Sequence, residues 1–259
     1  MSKGLALITG ASAGIGEALA REFAARGFDL VITARRQEKL EALADELGAQ
    51  VSVTVIQSNL ASEAGALSLI SQVEQAGLHV DVLVNNAGIA YTGKFVDLEP
   101  DEIEGLIGLN MTTLTLLTHH FARGMVARGS GRILNVASVA GFQPVPSMSL
   151  YAASKAFVIS LTEGMSEELR GTGVSITALC PGLTNTEMAL ALEADEVPPF
   201  LMSSPAEVAR EGYESLMNRE VIRIPGVANQ AAVTWARFQP RWVVRGLGGL
   251  FARLNPGAR

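Results

Sequence analysis

The sequence of 259 residues has one cysteine, Cys180, which excludes an intramolecular disulfide and any cysteine-rich metal site. Within VSITALCPG it reads as a small buried apolar residue. Histidine is almost as scarce. His119 and His120 adjoin in a helical apolar run without an acidic or cysteine partner at ligand spacing, so a packed or surface pair is expected and no metal is assigned. Charged residues make up only 18% of the chain against 48% from the AVILMFWYC set, which supports a sizeable core and argues against disorder. No Pro/Ser-rich linker divides the chain, so one domain is expected. The opening MSKGLALITG holds a short apolar run before a glycine turn, too short for a signal peptide or a spanning helix, and the expected compartment is the cytoplasm.

Net charge is −6, unevenly placed: residues 219–259 carry seven Arg against one Glu, which leaves −12 on the remainder. An acidic body speaks against nucleic acid as a partner.

β-branched apolar runs recur at Leu5–Thr9, Asp29–Ala34, Val51–Ile56, Asp81–Asn86, Arg132–Ser138, Val174–Cys180 and Val221–Pro225. Between most of them lie stretches with apolar residues at helical spacing, as in EALAREFAAR. The alternation predicts an α/β fold: a doubly wound, parallel, seven-stranded sheet of the Rossmann type, covered on both faces.

The first strand runs into Gly10, Ala11, Ser12, Ala13, Gly14, Ile15 and Gly16, and a helix follows at once. Glycines at G-x-x-x-G-x-G spacing let the chain turn sharply and let a pyrophosphate approach a helix N-terminus, where free N–H groups favour anions. The second strand ends at Ala34, Arg35 and Arg36. An acidic residue there would hold the 2′-hydroxyl of NAD, whereas an Arg accommodates a 2′-phosphate, so NADP(H) is the expected cofactor. Arg35 follows the strand directly and is the preferred candidate of the two.

Tyr151 and Lys155 stand four apart on a helical run, where side chains share a face. A free phenol, with a pKa of about 10, is a poor base near neutrality. A fixed ammonium beside Tyr151 is expected to lower that value and make it a general acid or base. Ser138, at the end of RILNVAS, is placed to bind the same substrate oxygen.

TGASAGIG (9–16), NNAG (85–88), Asn110 in GLN, Ser138, YAASK (151–155) and Pro181-Gly182 occur in that order, and through residues 3–225 the chain resembles the short-chain dehydrogenase/reductase family. The resemblance implies a tetrad of Asn110, Ser138, Tyr151 and Lys155, with the Asn110 main-chain carbonyl holding a relay water. It implies that Asn59 and Leu60 meet the adenine, with Asn59 replacing the family's usual Asp, and that Asn86, Ala87 and Gly88 lie along the adenosine side. It sets Pro181, Gly182, Leu183, Thr184 and Thr186 against the nicotinamide carboxamide; for Thr184 a plain turn role stays equally open. Family members are usually tetramers or dimers built on helices around residues 101–127 and 151–170, so a homo-oligomer is implied.

The substrate is expected between Val139–Leu150, with Phe142, Pro144, Val145, Pro146 and Met148, and Glu187–Ser204, with Met188, Leu190, Leu192, Pro198, Pro199, Phe200, Leu201 and Met202. Neither segment contains Lys or Arg, so a hydrophobic ketone or secondary alcohol, up to a bulky one, fits better than a phosphate or carboxylate. Residues 226–259 form an extension unlike the family's short ending. Its Trp235, Phe238, Trp242 and Phe251 stand among Arg237, Arg241, Arg245 and Arg253. Packing on the pocket or on a neighbouring subunit is the preferred expectation; peripheral contact with a membrane surface is the other. The function expected is NADP(H)-dependent interconversion of ketones and secondary alcohols, with fatty 3-oxoacyl thioester reduction and a non-catalytic NADP sensor as alternatives.

Overall fold

The computed structural model describes residues 2–191, 202–240, 242–243 and 245–246. Seven strands, β1 (Leu5–Thr9), β2 (Asp29–Ala34), β3 (Val53–Gln57), β4 (Val82–Asn85), β5 (Gly131–Val136), β6 (Val174–Leu179) and β7 (Ile222–Arg223), form one sheet in the order 3-2-1-4-5-6-7. Every pairing is parallel. The helices are α1 (Gly14–Ala25), α2 (Gln37–Leu47), α3 (Glu63–Gln75), α4 (Pro100–Ile107), α5 (Leu114–Arg128), α6 (Ser149–Glu168), α7 (Glu187–Ala191), α8 (Pro205–Met217) and α9 (Val227–Arg237).

The continuous apolar strands are buried on both faces, and their side chains divide with a period of two. Ala6, Ile8, Leu30, Ile32, Val82 and Val84 join one core with Leu19 and Phe23 of α1, Leu40 of α2 and Leu216 of α8. Leu7, Val31, Leu83 and Ile133 join the opposite core with Leu69 of α3 and Leu117 and Met125 of α5. On the first face Phe23 packs edge-on against Phe28 and Tyr213 at 5.3 and 5.2 Å, which fastens α1 to α8.

Several strands end earlier than their apolar runs suggest, each for a local reason. β4 stops at Asn85 because the N–H of Asn86 turns to the Thr9 hydroxyl at 3.0 Å. The expected run Val221–Pro225 pairs only through Ile222 and Arg223, on an edge with one neighbour, and Pro225 has no N–H to add. The third strand sits at Val53–Gln57, two residues later than expected at its start. Between α4 and α5 a π-type turn, Gly108–Thr113, carries the helical path past Asn110.

Phe23 is fully buried. Phe23→Ala is expected to cost about 3–5 kcal/mol in urea unfolding, since it leaves a cavity where three aromatic rings meet.

Candidate active site

The order of strands reverses between β1 and β4, and the loops leaving their carboxyl ends open a crevice there. Thr9 ties the two loops together. Its hydroxyl donates to the Val84 carbonyl at 3.2 Å and accepts from the N–H groups of Asn86 and Ala87, each at 3.0 Å. The Asn86 amide returns the contact, donating to the carbonyls of Thr9 (2.9 Å) and Gly10 (3.3 Å). Asn86 is therefore a brace of the glycine turn.

Gly10 and Gly14 take φ of +68° and +59°, and a Cβ on Gly16 would lie 2.3 Å from both the Gly10 carbonyl oxygen and Asn86 Nδ2. Ala13, the residue before α1, makes no side-chain cap, so it does not cover the first N–H groups of the helix. A shallow turn without bulky side chains at an uncapped helix start fits a pyrophosphate. Ser12 stands on this turn, and its Oγ and carbonyl accept from Arg36, with Nε–Oγ at 3.3 Å and Nη2 at 3.2 Å from each. The side chain brought to the turn is thus Arg36, where the sequence favours Arg35. The Arg35 carbonyl accepts from Gln57 at 2.9 Å, and its side chain forms no ion pair among the described residues. Along an extended chain neighbouring side chains point opposite ways, so only one of the two can face Ser12.

The candidate tetrad gathers at the ends of β4 and β5. Gly88 is the meeting point: a Cβ on it would lie 3.3 Å from Asn110 Oδ1 and 3.5 Å from Lys155 Nζ. Asn110 is buried, accepts from the Ile89 N–H at 2.9 Å, and donates to the Ile89 carbonyl (2.9 Å) and Ser154 Oγ (3.2 Å). Both amide protons are committed, which leaves the main chain as Asn110's route into any proton relay. Ser154 in turn donates to the Tyr151 carbonyl at 2.7 Å. Sequence reading passed over Ser154, although its place inside YAASK was the available signal.

Lys155 is buried, donates to the Val136 carbonyl at 2.8 Å, and holds Nζ 5.6 Å from the centre of the Tyr151 ring. Burial lowers its pKa to about 8, against a smaller upward pull from Cys180. The phenol of Tyr151 moves the other way from expectation: burial raises its pKa, and the neighbouring Ser138 hydroxyl offsets this only in part. The ammonium is directed at the Val136 carbonyl and lies over the ring, so desolvation decides the sign. Ser138 Oγ accepts from the Ala140 N–H at 3.1 Å and donates to the Pro181 carbonyl over a long 3.4 Å, so its proton is held weakly.

The adenine-side expectations fare unevenly. Asn59 is exposed, but its amide oxygen accepts from the Ala61 N–H at 3.2 Å. Leu60 is buried, and its carbonyl accepts from Thr113. After β6, Thr184 is buried, bridges Ser203 and donates to the Gly182 carbonyl at 3.1 Å, the geometry of a turn residue. Thr186 lies over the glycine turn, its methyl 3.0 Å from the place a Gly14 Cβ would occupy. A cavity of about 640 Å³ runs beside this turn, lined in part by Ala13, Gly14, Thr186, Glu187 and Leu190.

Leu183, Met188 and Leu190 are exposed and give the segment after β6 an apolar outer surface. Leu192, Pro198, Pro199, Phe200 and Leu201 lie outside the described residues, as do Arg241, Phe251 and Arg253. The described part of the extension packs on the loops after β5 and β6: the Arg237 guanidinium covers the Phe142 ring at 5.3 Å, and Asn229 fills the space a Gly182 Cβ would need. His120 meets Glu74 at 3.3 Å and stacks edge-on against Phe121, and among the described residues no group of three His, Cys, Asp or Glu could hold a metal. No described helix is long and apolar enough to cross a membrane.

The family model for short chain dehydrogenases matches residues 4–197, and the chain belongs to that family. It is an oxidoreductase by that membership. Sulfoacetaldehyde reductase 2 of Chromohalobacter salexigens is 38% identical over 188 residues, 72% of this chain and 75% of that protein. A short-chain dehydrogenase from Sphingobium yanoikuyae, solved in complex with NADPH, is 36% identical with a TM-score of 0.82, covering 90% of this chain and 93% of its own. The bulky-bulky ketone specific alcohol dehydrogenase of Comamonas testosteroni is 30% identical with a TM-score of 0.79, over 92% and 93% of the two chains.

A buried lysine with a depressed pKa leaves a signature in stability. Below about pH 8 Lys155 is charged in both folded and unfolded chains, and the burial penalty is present in full. As pH rises from about 8 toward the ordinary value of 10.5, the folded chain releases its proton first, so stability rises relative to a chain lacking the group. Urea titrations of wild type and Lys155→Met at pH 7, 9 and 10.5 should show the difference shifting toward wild type, by on the order of 3 kcal/mol in all. A pH-independent difference would mean that the amine keeps its ordinary pKa.

Proposed function

We propose that this chain is an NADP(H)-dependent reductase of ketones, reversible with secondary alcohols, acting on hydrophobic substrates. The observation that carries the reading is the convergence of the Ser138 hydroxyl, the Tyr151 phenol and the Lys155 ammonium at the end of β5, beside a glycine turn shaped for a dinucleotide. Held along the Gly10–Gly16 turn and by Arg36, NADPH would supply the hydride that the carbonyl carbon accepts. Ser138 turns its weakly held proton to the carbonyl oxygen and fixes its position, and Tyr151 transfers the phenolic proton to that oxygen as negative charge develops. A phenol whose pKa stands above its ordinary value keeps that proton at neutral pH, which suits the reducing direction. Lys155 sets a positive charge beside the phenol and, through Val136, is locked to the strand that presents Ser138. The NADPH complex of the Sphingobium relative and the ketone specificity of the Comamonas enzyme support the cofactor and the substrate class.

A second reading, a small anionic carbonyl substrate, is favoured by one contact. Arg237 brings a cation to a substrate loop that has none of its own, and a relative reduces sulfoacetaldehyde according to its name. Oxidation of NADPH and NADH should be followed against aryl and aliphatic ketones, 2-oxo acids, sulfoacetaldehyde and 3-oxoacyl thioesters. Preference for neutral ketones with NADPH supports the first reading; activity confined to anions supports the second, and activity confined to acyl thioesters overturns both.

Tyr151→Phe is expected to lower kcat by at least about a thousandfold with NADPH affinity nearly unchanged, and wild-type-like turnover would exclude the mechanism. Arg36→Ala should weaken NADPH binding on the order of tenfold and NADH binding little, while Arg35→Ala should do less. Equal losses of both cofactors in Arg36→Ala would remove the assigned role.

A further inference from the structure

Glu187, the first residue of α7, is joined to the second strand's end across 151 residues of sequence. Its Oε2 accepts from Arg36 Nη1 at 2.7 Å and its Oε1 from Lys39 Nζ at 2.6 Å. Both cations hold the carboxyl below its ordinary pKa, Lys39 the more strongly. The Arg36 guanidinium is anchored separately, on the Ser12 hydroxyl and carbonyl, so its place does not depend on Glu187. Ser12, Arg36 and Lys39 thus form a seat with two cations and a hydroxyl, and an anion from another segment of the chain sits in it.

That segment also covers the glycine turn. Thr186 rests against Gly14, and the N–H groups of Ala189 and Leu190 bond back to Thr186 at 3.3 and 3.1 Å, making 186–190 one compact turn. We propose that Glu187 is a built-in competitor for the 2′-phosphate of NADP(H): its carboxylate occupies the phosphate's seat, and the phosphate must displace it to bind. This rests on the reading that the turn holds NADP(H). All three side chains of the ion-pair cluster are close to half exposed, at 44% for Arg36, 48% for Lys39 and 56% for Glu187. Such pairs are weak and screened, so Glu187 tunes affinity and does not bar the site. The exchange adds a second consequence. A dinucleotide lacking the 2′-phosphate has nothing to offer Arg36 and Lys39 in return, so Glu187 stays on them and the segment stays held over the turn.

The rival role for the same carboxylate is a direct bond to a ribose 2′-hydroxyl, which would favour NAD(H). The two are separated by adenosine fragments that carry the 2′ group but no nicotinamide. Calorimetric binding of 2′,5′-ADP and 5′-AMP to the full chain, wild type and Glu187→Gln, is the experiment, with Arg36→Ala as reference. Glu187→Gln is expected to tighten 2′,5′-ADP roughly three- to tenfold, the range of one or two exposed ion pairs, and to leave 5′-AMP unchanged. Unchanged or weaker 2′,5′-ADP binding in Glu187→Gln, with wild type still preferring it over 5′-AMP, overturns the competitor and leaves the NADP(H) reading standing. Loss of 5′-AMP affinity in Glu187→Gln assigns the carboxylate to the 2′-hydroxyl and overturns it too. No preference for 2′,5′-ADP in either protein removes the NADP(H) reading and the competitor with it.

Discussion

The clasp between Thr9 and Asn86 is the contact on which the site depends. Each closes the other's loop, with the Thr9 hydroxyl on two N–H groups after β4 and the Asn86 amide on the carbonyls of Thr9, which ends β1, and Gly10, which follows it. It lies where the strand order reverses, the one place in such a sheet where neighbouring loops part and leave a crevice. Gly16 fits against the Asn86 amide and the Gly10 carbonyl with no room for a Cβ, so α1 is set at a fixed distance from the turn. The positions of Ser12, and through it Arg36, follow from that geometry.

A second junction gathers the candidate tetrad. Asn110, on the π-type turn, joins the loop after β4 to α6 through Ile89 and Ser154, while Lys155 joins α6 to β5 through Val136. Burying an ammonium with one carbonyl partner is costly, which is why its pKa falls; the return is a positive charge held beside Tyr151 in a site of low polarity. In the protein alone burial pushes the Tyr151 phenol up, and the Ser138 hydroxyl offsets this only in part. Burial around Tyr151 therefore favours the phenol over the phenolate.

What the sequence made legible was local. Glycine spacing between a strand and a helix, the four-residue step from Tyr151 to Lys155, and the alternation of apolar runs each follow from backbone geometry within one element. The fold class and the Tyr151–Lys155 pair were available on those terms, and Ser138 joined them through the family resemblance. Contacts between distant segments were not. Arg35 and Arg36 are equivalent on paper, and only the direction of the chain after β2 decides which one meets Ser12. Glu187 looks like one more solvated acid until α7 is laid over α2. The upward shift of the Tyr151 phenol is likewise hidden from spacing, which gives proximity but neither the direction of the ammonium nor the burial around the ring.

The extension shows the same limit in the substrate site. Read alone, Val139–Leu150 is an apolar loop without a cation, and the tail is a basic, aromatic stretch without a destination. Brought together, they form one wall, because α9 lays Arg237 on Phe142 and Asn229 against Gly182. The pocket's charge is then a property of the contact. A guanidinium over an aromatic face keeps its apolar plane on the loop and its edge in water. The contact therefore has an apolar side toward the loop and a positive edge toward solvent.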